Sequence, residues 1–146
     1  MNHQTIFKYQ YHTPEIKDCS ILISGGAGFI GSNLVEYLLL NGAKKVRVFD
    51  NLSNGFERNI EPFRSNPAYE FMEGDITNLA DCEKACAGID LISHQAALGS
   101  VPRSIKNPLA TSAANTTGFL NMLLSARDAG VKRFIYASSS SVYGDS

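Results

Sequence analysis

The sequence has no long hydrophobic run, no clustered basic stretch and no pattern of paired cysteines, and each absence closes off a class of function. No segment approaches the roughly 18 consecutive apolar residues of a membrane span. The first eighteen residues, with Tyr9, Tyr11, His12 and Pro14 among polar neighbours, lack the apolar centre of a signal peptide. Residues 1–18 read as a tail or docking segment outside the main fold. A net charge of −1, from 13 basic and 14 acidic residues, carries no electrostatic footprint for nucleic acid. The three cysteines make an odd count without zinc-ligand spacing, which points to reduced thiols, a cytoplasmic setting and no metal site. Cys82 and Cys86 lie four apart on one face of a predicted helix, beside Leu79, and are expected as small buried apolar groups. Repeats and low-complexity stretches are also missing. What remains is a chain of 146 residues, 44% apolar, long enough for one domain with a real core.

The most informative stretch is Gly25-Gly26-Ala27-Gly28-Phe29-Ile30-Gly31, because of its flanks. Ser20-Ile21-Leu22-Ile23-Ser24 before it reads as a short buried strand. After it, Ile30, Leu34, Val35, Leu38 and Leu39 repeat at helical spacing up to Gly42, a C-cap signal. Lys45-Val46-Arg47-Val48-Phe49 forms a second strand ending in Asp50, about 20 residues past the last glycine, as a dinucleotide-binding βαβ unit requires. Gly25 would permit the tight turn, Gly28 the approach of a pyrophosphate, and Gly31 close packing of helix on sheet. Free N–H groups at the helix start would hold the phosphates.

Downstream, Asn51-Leu52-Ser53-Asn54-Gly55 is a loop rich in locally hydrogen-bonding residues, followed by a short helix closed at Asn66-Pro67. Tyr69–Glu73 reads as a third strand, Leu79–Ala87 as a helix and Leu91–His94 as a fourth strand. Asn107 and Pro108 have the character of an N-cap and first helical residue for a long helix reaching Ala129. Arg133–Ala137 is a fifth strand. This alternation predicts an α/β fold over residues 19–146, a doubly wound parallel sheet of Rossmann type, with the ligand beyond the strand C-termini.

Asp50 is expected to accept from both hydroxyls of an adenosine ribose and to repel a 2′-phosphate, which favours NAD over NADP. Asp75, just past a strand, has the chemistry to accept from an adenine amino group, with Ile76 against the ring. Asn115-Thr116-Thr117-Gly118 are poor helix formers placed mid-helix. Either Asn115 faces the cofactor, the preferred account, or Gly118 is a packing notch. Ser138–Ser141 is a polar turn or a source of a hydroxyl for substrate, without the flanks of an acyl-transfer elbow. His94 is expected as a buried, satisfied histidine.

Taken together, Gly25–Gly31, Asp50-Asn51, Gly74-Asp75-Ile76, His94-Gln95-Ala96-Ala97, Asn115 and Ser138–Gly144 resemble the extended short-chain dehydrogenase/reductase superfamily. Within it, the run Gln95–Ser104 looks like the nucleotide-sugar 4-epimerases, most like the branch acting on UDP-N-acetylglucosamine and UDP-N-acetylgalactosamine. Related dehydratases usually carry Asp where this chain has Pro102. The resemblance implies NAD held by Gly25, Gly28, Phe29, Ile30 and Gly31, then Asp50, Asn51, Ser53, Asn54 and Gly55, then Asp75 and Ile76, then Gln95, Ala96, Ala97 and Asn115. It implies a catalytic serine at Ser139, with Ser140 near the substrate and Gly99 and Ser100 beginning the sugar–phosphate contacts. It further implies a UDP-sugar substrate and a homodimeric full-length protein.

In the family mechanism a tyrosine takes the 4-hydroxyl proton, C4 gives hydride to NAD, and the 4-keto sugar turns over before hydride returns. That tyrosine and its lysine form a Tyr-x-x-x-Lys motif, and none of the tyrosines here has lysine four residues on. The chain therefore reads as the N-terminal part of such an enzyme, cut after the fifth strand and inactive alone. A dehydratase, decarboxylase or reductase of the same superfamily, or an NAD-binding module without chemistry, are the competing readings.

Overall fold

A computed structural model describes residues 14–144. Five strands, β1 (Ser20–Ser24), β2 (Lys45–Asp50), β3 (Tyr69–Glu73), β4 (Leu91–His94) and β5 (Arg133–Tyr136), form one sheet in the order β3-β2-β1-β4-β5. Every pairing is parallel. Parallel neighbours need crossover connections, so the chain runs outward from β1 to β3 and then crosses to β4 on the other side. The reversal between β1 and β4 opens a crevice at the strand C-termini.

Side chains alternate across the sheet, and both faces are covered. Ile21, Ile23, Val46 and Val48 pack on one face with Ala27, Val35 and Ile60. Leu22, Phe49 and Ile92 pack on the other with Cys82, Ala85, Cys86, Met122 and Ala126. Each fully buried side chain of this size stabilises by about 1.5–3 kcal/mol, which is why these strands read as continuous apolar runs. Cys82 and Cys86 are fully buried, and burial pushes their thiols up to about 12 and about 11. They are packing groups, not nucleophiles.

Helix α1 spans Phe29–Leu40 and ends at Gly42, whose φ of +76° suits glycine. Helix α2 (Leu79–Cys86) is capped by Asn78, which accepts from the Ala80 amide at 3.0 Å. Arg47 serves its other end: Nη1 donates to the carbonyls of Ala85 (2.6 Å) and Ala87 (2.9 Å), while Nε donates to Glu70 (2.6 Å). Helix α3 (Val101–Lys106) is short. A long helical run then comprises α4 (Pro108–Ser112), a π-helical segment (Ala113–Gly118) and α5 (Phe119–Asp128). Asn107 caps it through Ala110 at 3.2 Å.

Two elements depart from the sequence reading. The expected helix after residue 55 is a pair of 3-10 turns, Glu57–Asn59 and Glu61–Phe63. Pro62 at the start of the second turn brings no N–H to carry the first one on into an α-helix. The long helix is interrupted at Asn115-Thr116-Thr117-Gly118, where poor helix formers accommodate the wider π turn. Of the 1–18 segment, residues 1–13 lie outside the described residues. Pro14–Asp18 forms a 3-10 turn, and Ile16 is buried in the same cluster as Ile21 and Val46.

Candidate functional site

The glycine turn joins β1 to α1 with almost no room for side chains. Gly25 has φ +68°, and a Cβ there would lie 2.7 Å from the Ala96 amide nitrogen. Gly31 was expected to press the helix on the sheet; its missing Cβ instead admits the Gly25 carbonyl and Gly26 of the turn itself. Gly26 is the residue that meets the sheet, with Val48 Cγ1 2.7 Å from where its Cβ would be. Sequence reading gave Gly26 no task, because the contact is set by β2 lying beside β1. Gly28 is the α1 N-cap and offers no side-chain acceptor, so the first-turn amides of the helix are left to an external anion.

The acid at the end of β2 has a structural task as well as a chemical one. Asp50 is buried, its Oδ2 accepting from the Ala27 amide (3.0 Å) and its Oδ1 from Leu52 (2.8 Å). It thereby ties the glycine turn to the loop after β2 while still lining the cleft. Asp75 accepts at Oδ1 from the Thr77 amide and hydroxyl (2.8 and 2.7 Å) and at Oδ2 from Asn51 (2.9 Å). Partial burial pushes its carboxyl up, but these hydrogen bonds outweigh it and hold Asp75 below the usual carboxylate range.

At the C-terminal ends of β1 and β4 lies a polar pair within the sheet. Ser24 Oγ and His94 Nδ1 are 2.7 Å apart, both residues buried. Ser24 Oγ also accepts from the amides of Gln95 (3.2 Å) and Ala96 (3.3 Å), so its own proton goes to His94 Nδ1. The ring is then neutral with its proton on Nε2, and burial pulls its pKa down to about 4. Phe119 and Phe134 flank it, with ring centroids 5.6 and 5.7 Å away. The network fixes the backbone of Gln95 and Ala96 against Gly25.

The interrupted helix organises the rest. Asn115, expected to face the cofactor, is not among the cleft-lining residues; it clamps Leu98, accepting from its amide (2.8 Å) and donating to its carbonyl (3.1 Å). The alternative reading of this stretch, a packing notch at Gly118, fits the geometry, since a Cβ there would sit 2.7 Å from Ile76 Cδ1. Asn121 Nδ2 donates to the carbonyls of Ile76 (3.0 Å) and Thr77 (3.2 Å). One helical run therefore sets both the 95–98 loop and the 75–77 turn.

These elements enclose a cleft of about 720 Å³ at the strand C-termini. It brings together Gly25, Gly28, Asp50, Asn51, Ser53, Asn54, Gly55, Asp75, Ile76, Gln95, Ala96 and Ala97. Phe29 and Ile30 stand exposed at the helix start, outside the lining, and Gly31 is buried beneath the turn, also outside it. Gly99 lines a neighbouring cavity of about 530 Å³, and Ser100 caps α3 through the Arg103 amide at 3.4 Å. Ser139 is exposed past the end of β5, its carbonyl accepting from Val142 at 3.2 Å, and lines neither cavity. The Ser140 side chain lies outside the described residues. Sequence reading passed over Arg103, Asn107, Ala110, Ala113 and Ala114 as lining residues. The alanines at helical spacing were the available signal, since small side chains leave the cleft open.

Residues 21–146 match the model of the NAD dependent epimerase/dehydratase family. The chain belongs to that family. Among curated relatives, UDP-glucuronic acid decarboxylase 1 of Danio rerio is 40% identical over 125 residues, 86% of this chain and 28% of the relative. Among solved structures, DesIV, a dTDP-glucose 4,6-dehydratase from Streptomyces venezuelae with NAD and TYD bound, superposes with a TM-score of 0.82. Its identity is 37%, with 87% of this chain and 42% of DesIV covered. The UDP-N-acetylglucosamine 4-epimerase of Methanobrevibacter ruminantium M1, in complex with UDP-N-acetylmuramic acid, gives a TM-score of 0.80 at 35% identity, covering 89% of this chain and 41% of that one. The chain thus spans well under half the length of these relatives. The family's open α/β sheet, with its crevice at the reversal of strand order, is the architecture described above.

Proposed function

We propose that this chain supplies the NAD-binding half of a nucleotide-sugar 4-epimerase, acting on UDP-N-acetylglucosamine and UDP-N-acetylgalactosamine or on UDP-glucose and UDP-galactose. The single observation that carries the cofactor assignment is the cradle at Gly25–Gly31. There a Cβ at Gly25 would strike Ala96 and the first-turn amides of α1 have no side-chain cap. A diphosphate fits such a place, and the Asp50 carboxylate lines the same cleft at the distance in sequence expected for a ribose. When bound, NAD supplies reversible hydride acceptance at the sugar's C4.

The residues here would bind and orient it. Gly25 and Gly28 admit the phosphates, Asp50 receives the ribose hydroxyls, and Asp75 with Ile76 receives the adenine. Ser139 would hold the sugar's 4-oxygen, with Gly99 and Ser100 toward the sugar phosphate. Proton transfer at that oxygen requires a tyrosine and lysine in Tyr-x-x-x-Lys spacing, which these 146 residues do not contain. Turnover by this mechanism therefore needs that pair in addition to the residues of this chain; a homodimer and a cytoplasmic setting belong to the same proposal.

A second reading has a specific observation behind it: the decarboxylase and dehydratase relatives are as similar as the epimerases. The family resemblance implies Asp at the position of Pro102 in dehydratases, and the proline there supports the epimerase reading. The test is incubation of protein carrying this chain and the Tyr-x-x-x-Lys segment with NAD and, in parallel assays, UDP-N-acetylglucosamine, UDP-glucuronic acid and dTDP-glucose. Formation of UDP-N-acetylgalactosamine supports the proposal. A UDP-pentose from UDP-glucuronic acid, or a 4-keto-6-deoxy product, transfers the assignment to the alternatives.

A further inference from the structure

We propose that Arg103 and Asn54 form a clasp across the mouth of the cleft, making Arg103 a positioning residue whose release governs ligand escape. The inference rests on the dinucleotide reading for its ligand and on the unliganded geometry for the clasp itself. Arg103 Nη1 donates to Asn54 Oδ1 at 2.6 Å, joining α3 to the loop after β2 across 49 residues of chain. Among the described residues, Arg103 is the only cationic side chain lining either cavity, and both it and Asn54 line the two of them. The contact therefore lies on the boundary that the dinucleotide cleft and the neighbouring cavity share, beside Ser53, Gly55 and Ala97.

The loop it holds is anchored at its base and strained within. Asp50 takes the Leu52 amide, Asn51 Oδ1 takes the Ser53 amide at 3.0 Å, and Phe56 donates to the Ala27 carbonyl at 3.0 Å. Leu52 adopts φ +56°, a left-handed conformation that a branched residue keeps only where its surroundings hold it. Asn54 at the tip has the Arg103 bond as its tie to the opposite wall. A charge-assisted bond holds more firmly than a neutral one, and in this proposal a ligand leaves the cleft past the tip when that bond breaks.

The experiment is a double-mutant cycle on the full chain with Arg103→Ala, Asn54→Ala and the double variant, both side chains being exposed and remote from the core. Hydrogen exchange of the unliganded proteins reads amides 51–55, and stopped-flow fluorescence reads NADH release. Each single variant should speed release by about tenfold, the rate equivalent of one charged hydrogen bond, and the double variant should add nothing further. Exchange at 51–55 should rise in all three variants. The clasp is overturned if Asn54→Ala leaves release and exchange unchanged while Arg103→Ala does not, because Arg103 then acts on the ligand as a charge. Independent, multiplying effects overturn it too. Should the unmutated chain fail to bind NADH, the dinucleotide reading falls, while exchange in the unliganded variants still decides the clasp.

Discussion

Ser24 and His94 face each other across the β1–β4 ladder, and their side chains share a 2.7 Å hydrogen bond in the interior of the sheet. The consequence is a pH dependence with a definite sign. Folded His94 titrates at about 4, against 6.5 for an ordinary histidine, because burial disfavours the cation. Between those values the unfolded chain binds a proton that the folded chain refuses, so stability falls as pH drops through that window and levels off below it. The loss is about 3 kcal/mol at most. Urea unfolding at pH 7, 5.5 and 4 should show the decline, and His94→Asn, which keeps an acceptor near Nδ1, should flatten it. Asp75 and Glu70, held below the usual carboxylate range, also lose stability on acidification, but in a lower window. A wild-type curve flat from pH 6.5 to 4.5 contradicts the neutral buried ring.

Asp50 carries two tasks that different substitutions separate. Replacement by Ala orphans the amides of Ala27 and Leu52, at about 1–3 kcal/mol per buried group, in addition to removing the ribose acceptor. Asp50→Asn keeps one acceptor oxygen and should cost less stability. It should still weaken NAD about tenfold or more and narrow its advantage over NADP. Titration with both cofactors, alongside thermal unfolding, checks the split. Equal affinity of the unmutated protein for NAD and NADP would remove the specificity role.

Gly118→Ala should act on the cleft from outside it. The new methyl meets Ile76 side-chain atoms at 2.7 Å, and relieving that contact means shifting a cleft-lining residue. We expect about 1–3 kcal/mol of destabilisation and weaker NAD binding together. The companion change Ile76→Val, which makes room, should recover part of the stability. No recovery in the pair means the two residues are not in contact.

Ser139→Ala, in protein that also carries the Tyr-x-x-x-Lys segment, should lower kcat with little change in bound NAD. A hydrogen bond realised mainly in the transition state is worth about 2–4 kcal/mol. Unchanged turnover returns Ser139 to an ordinary turn residue, as its exposed position past β5 in this chain would permit.

The strands, the glycine turn and the acid after β2 were legible because each is a local pattern: a short apolar run, glycines between a strand and a helix, an acid at a fixed remove. The Asn115–Gly118 stretch was legible only as a conflict. Local propensity says that a helix is strained there; it does not say that the relief is a π segment, which depends on Leu98 and Ile76 meeting it. The two 3-10 turns after residue 55 were missed for a related reason, since a short polar stretch carries too few apolar positions to distinguish 3-10 from α periodicity.

What the sequence determined by itself was the kind of each element and the chemistry gathered at the strand ends, because those follow from neighbours within a few residues. What only the tertiary structure decided was partnership. Gly26 meets Val48, Ser24 meets His94 from 70 positions away, and Arg103 reaches Asn54 only because the sheet order sets β4 beside β1. Hydrogen bonds and steric contacts act over a few ångströms, so no residue can select such a partner until the parallel sheet has brought the two segments side by side.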